Sequence, residues 1–166
     1  RSRRRAGPLL EVDRADRPVT VGCVYLPKGG LPAHRQRPGS MREEPDGGAK
    51  YERKRRFLAA FARELNRSRL AALREGREFL LVGDLNIAHT QHDVTNWRAA
   101  RTMDGFLPED REWFDSVLGR RRLVDVVRQG HGDRPGPLAW WSCAGQSFAK
   151  NVGCEWTINS RLLASP

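Results

Sequence analysis

Glu78-Phe79-Leu80-Leu81-Val82-Gly83-Asp84-Leu85-Asn86 decides how this chain is read. The apolar run Phe79–Val82 is too short for a helix and fits a buried strand. It stops at a glycine and opens into an acid and an amide two positions apart. If the extended geometry continues, Asp84 and Asn86 point the same way from the strand's open end. A carboxylate there can orient or deprotonate a water, and an amide can donate to a phosphoryl oxygen, so the pair suits phosphate-ester hydrolysis. The bland alternative is a turn, because glycine, aspartate and asparagine commonly close strands.

Working outward, Leu58, Phe61, Leu65, Ala72 and Leu73 repeat at helical spacing, and the pattern predicts a helix over Lys50–Glu75 stopped by Gly76. Residues 50–78 carry ten Lys and Arg against four Glu, either a solvated outer face or part of an electrostatic footprint for a phosphate backbone. Upstream, Arg17–Leu26 reads as a strand with Val19, Val21, Cys23 and Tyr25 on one face, and Leu9–Val12 as a short strand before it. Residues 27–50 are rich in proline, glycine and charge and form a long loop. Downstream, Pro108 opens a helix with Glu109 and Asp110 in its first turn and Trp113, Phe114, Val117 and Leu118 on its apolar side. Leu123–Val127 and Leu138–Trp141 read as short strands, with one tryptophan of Trp140-Trp141 expected in the core and the other available to stack on a sugar or base. The alternation of strand and helix predicts an α/β or α+β fold.

Composition bounds the function. The 166 residues are enough for one domain, or part of a larger one, that buries roughly 68–70% of its unfolded surface. The hydrophobic share of 39% becomes about 48% with glycine counted and tyrosine left out, ordinary for a globular domain. No run of about 18 apolar residues suggests a membrane span, and Arg1–Arg5 is followed by no apolar segment of a secretion signal. Cys23, Cys143 and Cys154 fit neither a disulfide framework nor a zinc ribbon, so reduced thiols and a cytoplasmic location are expected. A net charge of +10 favours polyanionic partners, nucleic acid first. His89, His92 and Asp93 are close in sequence but read better as a polar loop than as metal ligands, and Pro27-Lys28-Gly29-Gly30 lacks the phosphate-loop pattern.

Several of these segments, taken in order, resemble the exodeoxyribonuclease III family of abasic-site endonucleases within the endonuclease/exonuclease/phosphatase superfamily. The motifs are Val24-Tyr25-Leu26-Pro27-Lys28-Gly29, Leu81-Val82-Gly83-Asp84-Leu85-Asn86-Ile87-Ala88, Gly105-Phe106-Leu107-Pro108-Glu109-Asp110-Arg111-Glu112-Trp113, Trp140-Trp141-Ser142 and Gln146-Ser147-Phe148-Ala149-Lys150-Asn151-Val152-Gly153. The resemblance runs collinearly from about Leu10 to Gly153. It implies a partial four-layer αββα sandwich of the DNase I-like type, one domain over residues 1–166 with both ends divergent. It implies hydrolysis of DNA phosphodiesters with Mg²⁺ (or Mn²⁺), as a 3′–5′ exonuclease and abasic-site endonuclease of base excision repair.

Residue by residue, Asp84 matches the acid that activates water and Asn86 the amide beside it, both also at metal positions. Tyr25 matches the tyrosine near the scissile phosphate. Lys28, Trp140 and Asn151 fall in DNA-contacting segments, Trp140 at the pocket for the abasic sugar. The expected partner is duplex DNA with abasic sites or 3′ ends, bound by a monomer with no membrane association. The departures are at the ends. The family's early asparagine and metal-binding glutamate and its final aspartate–histidine pair have no counterpart here. Trp156-Thr157-Ile158-Asn159-Ser160 stands where the family has a Trp-Arg-Ile-Asp-Tyr type strand, so Asn159 occupies a metal-aspartate position. The expectation is therefore an incomplete, weakly active or inactive fragment. The alternatives are a catalytically dead DNA-binding fragment and a superfamily phosphatase acting on lipid or inositol phosphates.

Overall fold

A computed structural model describes residues 9–39, 43–142, 145–154 and 162–164. Its centre is a pair of parallel strands, β2 (Val19–Tyr25) and β3 (Glu78–Asp84), joined through the long helix α1 (Ala49–Arg74). They run in register from Val19 opposite Glu78 to Tyr25 opposite Asp84. Two parallel strands of equal length must leave the sheet at the same edge, so the loops after Tyr25 and after Asp84 emerge together. Strand β1 (Leu9–Asp13) pairs antiparallel outside β2. On the other side of β3 lie β7 (Leu162–Ala164) and then β4 (Val124–Asp125), completing the order β1-β2-β3-β7-β4. A separate two-stranded sheet pairs β5 (Trp140–Trp141) with β6 (Gly153–Cys154).

Helix α1 starts within a residue of the expected position because its entry is built by side chains. Asp46 accepts from the Gly48 and Lys50 amides at 3.0 and 2.9 Å. Its other end stops as predicted: Gly76, at φ 68°, donates to the Leu73 carbonyl, and Arg77 donates to that of Ala72. The apolar stripe Leu58, Phe61 and Leu65 is buried against Phe79 and Leu81 of β3 and against Trp113, Phe114 and Val117 of α3 (Pro108–Val117). Each such side chain contributes about 1.5–3 kcal/mol on burial. The Trp113 indole donates to the Leu58 carbonyl at 3.0 Å, locking α3 to α1.

Two expectations need correction, and the covered face of β2 is defined: Val19, Val21, Cys23 and Tyr25 lie on the outward face, and Thr20, Gly22 and Val24 are buried. Both faces of this sheet are apolar, so a period of two locates a strand without telling which face is covered. Opposite α1, Leu10 pairs with Cys23 and Val12 with Val21, and Leu10 and Val12 are 52% and 43% exposed. The predicted strand Leu123–Val127 is only two residues long: the Asp125 side chain caps the Arg128 amide and turns the chain into helix α4 (Val126–His131). Of the tryptophan pair, Trp140 is exposed and Trp141 half-buried, so neither enters the main core. A short helix α2 (Trp97–Ala100), capped by the Asn96 side chain, completes the elements. The fold is α/β, as expected, with helices on one face of the five-stranded sheet.

Candidate active site

The site begins at the shared edge of β2 and β3. Their pairing extends one residue past the strands, with the Leu26 amide donating to the Asp84 carbonyl at 2.8 Å. Gly83 has φ 127°, and a Cβ there would lie 1.9 Å from the Val24 carbonyl oxygen. Only glycine fits where β3 bends so tightly against β2, and that bend delivers Asp84 to the edge. In-register parallel partners project to the same face, so Tyr25, 70% exposed, stands beside the half-buried Asp84.

The extended geometry does not continue to Asn86. The chain turns back into the left-handed region, with Asn86 at φ 48°. The turn is held by the Asn86 amide donating to Asp84 Oδ1 at 2.9 Å and Asn86 Nδ2 donating to the Leu26 carbonyl at 2.8 Å. Asp84 and Asn86 therefore come together through a turn rather than through strand alternation. Burial pushes the Asp84 carboxyl above the ordinary aspartate range, partly offset by the Asn86 amide bond and by Lys54.

Beneath this turn lies a buried ionic cluster that the sequence reading missed. Lys54 is 2% exposed. Its ammonium donates to the carbonyls of Lys28 and Asn86, each at 3.2 Å, and sits 3.4 Å from Asp110 Oδ1. Asp110 Oδ2 in turn accepts from the Gly105 amide at 3.0 Å. One cation thus ties together α1, α3 and both loops that carry the site. Burial lowers the Lys54 pKa, and Asp110 and Asp104 act against that shift. Burial raises Asp104, opposed by Lys28 and Lys54. The signal was legible: Lys54 precedes Leu58 by four and Phe61 by seven, so it occupies the core-facing stripe of α1.

The remaining predicted residues form a second group. Trp141 Nε1 donates to Asn151 Oδ1 at 3.2 Å, and the Trp141 ring packs edge-on against Phe148 at 5.1 Å. Trp140 is the exposed neighbour, and the side chain of Lys28 is likewise exposed. Strand β6 docks on the segment leaving Asn86, with Thr95 Oγ1 bonded to both the Gly153 carbonyl and its amide. Asn159 lies outside the described residues. Among the described residues no group of three metal-ligating side chains forms around His89 or His92. His89 Nε2 meets Asp115 at 2.6 Å and stacks on Phe114, while Asp93 closes a capping box with Thr90 and pairs with Arg128.

As donors for a hard divalent cation, the Asp84 carboxylate and the Asn86 amide oxygen are chemically suitable, since Mg²⁺ is commonly bound through one or two protein oxygens plus substrate phosphate. Among the described residues no group of three His, Cys, Asp or Glu gathers in position to hold a metal.

The chain is similar to known proteins in fold and, over part of its length, in sequence. The fold is shared with the 3′–5′ exonuclease NExo from Neisseria meningitidis (TM-score 0.69, 23% identity, 96% of this chain and 52% of that one). It is also shared with an AP endonuclease from Archaeoglobus fulgidus (TM-score 0.65, 18% identity, 95% and 52%). In sequence the chain is 34% identical over 92 residues to an exodeoxyribonuclease of Bacillus subtilis, covering 55% of this chain and 35% of that protein. It is 32% identical over 99 residues to the DNA repair nuclease APEX1 of Danio rerio, covering 60% and 31%. No protein-family model matches the chain. The described residues thus have the DNase I-like fold of nucleases that act at abasic sites and 3′ ends. Over the matched part, the chain is similar in sequence to exodeoxyribonucleases and AP endonucleases, and it spans about a third of the length of the curated relatives it matches.

Proposed function

We propose that this chain carries part of the active site of a DNA phosphodiesterase that cuts beside abasic sites and trims strands 3′ to 5′ in base excision repair. The observation that supports it most is the convergence of Tyr25, Asp84 and Asn86 at one edge of two parallel strands.

In this reading Asp84 orients the attacking water and takes its proton. A carboxyl raised by burial is the better base for that task. Asn86, its side chain anchored on Leu26, presents its amide to the reacting group. The exposed Tyr25 hydroxyl donates to a phosphoryl oxygen. Lys28 adds exposed positive charge on the loop that follows Tyr25, Trp140 offers an exposed ring to the sugar at the lesion, and Asn151 is held by the neighbouring Trp141. Asp84 and Asn86 would hold a divalent ion, Mg²⁺ or Mn²⁺, which when bound neutralises phosphate charge.

The substrate is duplex DNA with abasic sites or 3′ ends, and the protein acts as a cytoplasmic monomer. The +10 charge favours this polyanion. With Asn159 where the family has an aspartate, the 166-residue chain turns over slowly in this reading. The test is a substrate panel with Mg²⁺ or with chelator. Abasic-site duplex and 3′-recessed duplex should be cut only with the metal. Release of phosphate from inositol or lipid phosphates in preference to DNA would contradict the reading.

A further inference from the structure

Arginine stays charged inside a protein, so a buried guanidinium calls for a counter-charge. Arg69, in the C-terminal half of α1, is 9% exposed. Its Nη1 donates to the Arg121 carbonyl at 3.0 Å and its Nη2 to Asn66 Oδ1 at 2.7 Å. Both acceptors are neutral. A second guanidinium approaches from the turn that follows α3. That turn is closed by the Arg122 amide donating to the Gly119 carbonyl at 2.9 Å and the Gly119 amide donating to the Leu123 carbonyl at 3.1 Å. The Arg122 side chain donates to the Ser116 carbonyl, again a neutral acceptor. Burial, and after it the nearby Arg122 charge, lower the Arg69 pKa.

The two guanidinium groups border a cavity of about 250 Å³ whose apolar lining is Ala62 and Leu65 of α1 with Val117 and Leu123. Among the described residues that line it there is no carboxylate. Its volume falls just below the roughly 300–1,000 Å³ of pockets for drug-sized molecules, so an occupant must be small. The cavity is remote from the reacting edge. Arg69 follows Lys54, which lies beneath the site, by fifteen residues of one continuous helix, a separation of about 22 Å along its axis.

We propose that this cavity binds a small organic carboxylate with a compact apolar body. A carboxylate accepts from planar guanidinium groups two hydrogen bonds at a time. It would supply the negative charge that Arg69 and Arg122 lack, while its apolar body covers Leu65, Val117 and Leu123. Inorganic phosphate would leave that lining uncovered, and a nucleic-acid backbone carries no compact apolar group to fill it. The inference is independent of the nuclease reading, because no residue of the cavity has a part in that reaction.

The experiment titrates para-fluorobenzoate into the 166-residue chain, with binding followed by fluorine NMR in excess KCl. Saturable binding is expected with Kd on the order of 1 mM, the affinity of a small ligand held by one ion pair and one apolar surface. Neutral para-fluorobenzyl alcohol should bind at least about tenfold more weakly, and Arg69→Met and Arg122→Gln should each raise Kd for the carboxylate at least about tenfold. Ala62→Leu, which fills the cavity and removes no charge, should raise it as much. Arg63→Ala, which removes an exposed charge of α1 outside the lining, should change it by less than about twofold. If Arg69→Met fails to fold, Arg122→Gln and Ala62→Leu decide. Absence of saturable binding, equal binding of the alcohol, or an unchanged Kd in Ala62→Leu would overturn the proposal. So would displacement of the probe by inorganic phosphate as effectively as by benzoate, or its displacement by duplex DNA, which would assign the two arginines to a polyanion.

Discussion

Replacing Lys54 with methionine removes the charge and keeps the stem, and the structure sets the size of the effect. The ammonium and the Asp110 carboxylate are each only 3% exposed at the side chain. Removing one partner of such a buried pair costs about 3–5 kcal/mol, because the other charge is left without compensation. The Lys28 and Asn86 carbonyls lose their donor as well. Against a total stability of about 5–15 kcal/mol this is a large fraction. With a urea dependence of about 2 kcal/mol/M, the unfolding midpoint should fall by about 1.5–2.5 M. Asp110→Asn keeps an oxygen for the Gly105 amide while removing the orphaned charge, so Lys54→Met/Asp110→Asn should recover much of the loss, with a coupling of at least about 2 kcal/mol. The assay is urea unfolding followed by tryptophan fluorescence on the two single variants, the double variant and wild type. A loss below about 1 kcal/mol for Lys54→Met, or strict additivity in the double variant, would refute the buried-cluster account.

Gly83→Ala should destabilise the fold by more than about 3 kcal/mol, since its Cβ would collide with the Val24 carbonyl at a positive φ; urea unfolding checks it, and a near-neutral result would show the bend is not as described. Asn86→Gly should unfold at higher urea than Asn86→Ala, because glycine relieves the left-handed backbone while both lose the bond to Leu26; the reverse order would contradict the turn. Asp104 has a raised pKa, so between 3.8 and its folded value the native state holds more protons than the unfolded one and stability falls as pH rises through that window. Asp104→Asn should therefore raise the urea midpoint at pH 7 and change it less at pH 3, and an unchanged midpoint at pH 7 would count against it.

The helices were legible because their signals are local. Lys50–Glu75 and the Pro108 helix declare themselves through spacing, a stop at Gly76 and a start at proline, and the structure places them within a residue or so. Strand β3 was equally plain from Phe79–Val82. What the sequence could not carry depends on partners distant along the chain. The covered face of β2 is set by α1 and α3 packing on one side, and its own alternation is apolar on the other. The turn at Asn86 takes its shape from Leu26, sixty positions earlier. Lys54 was passed over because a basic helix reads as solvated, although its place on the apolar stripe marked it as buried. The motif around Asp84 brought the acid and the amide together as a pair, but by an extended geometry the chain does not adopt.

The central claim is that Asp84 is the water-activating group of a DNA-cleaving site. The direct measurement is incision of an abasic-site duplex in Mg²⁺ by the 166-residue chain and by Asp84→Ala, with equal folding confirmed by unfolding midpoints. Loss of a general base costs roughly 10²–10⁴ in rate. The account predicts slow, metal-dependent incision by the chain that falls at least about a hundredfold in Asp84→Ala; equal product from the two proteins, at any level, would contradict it.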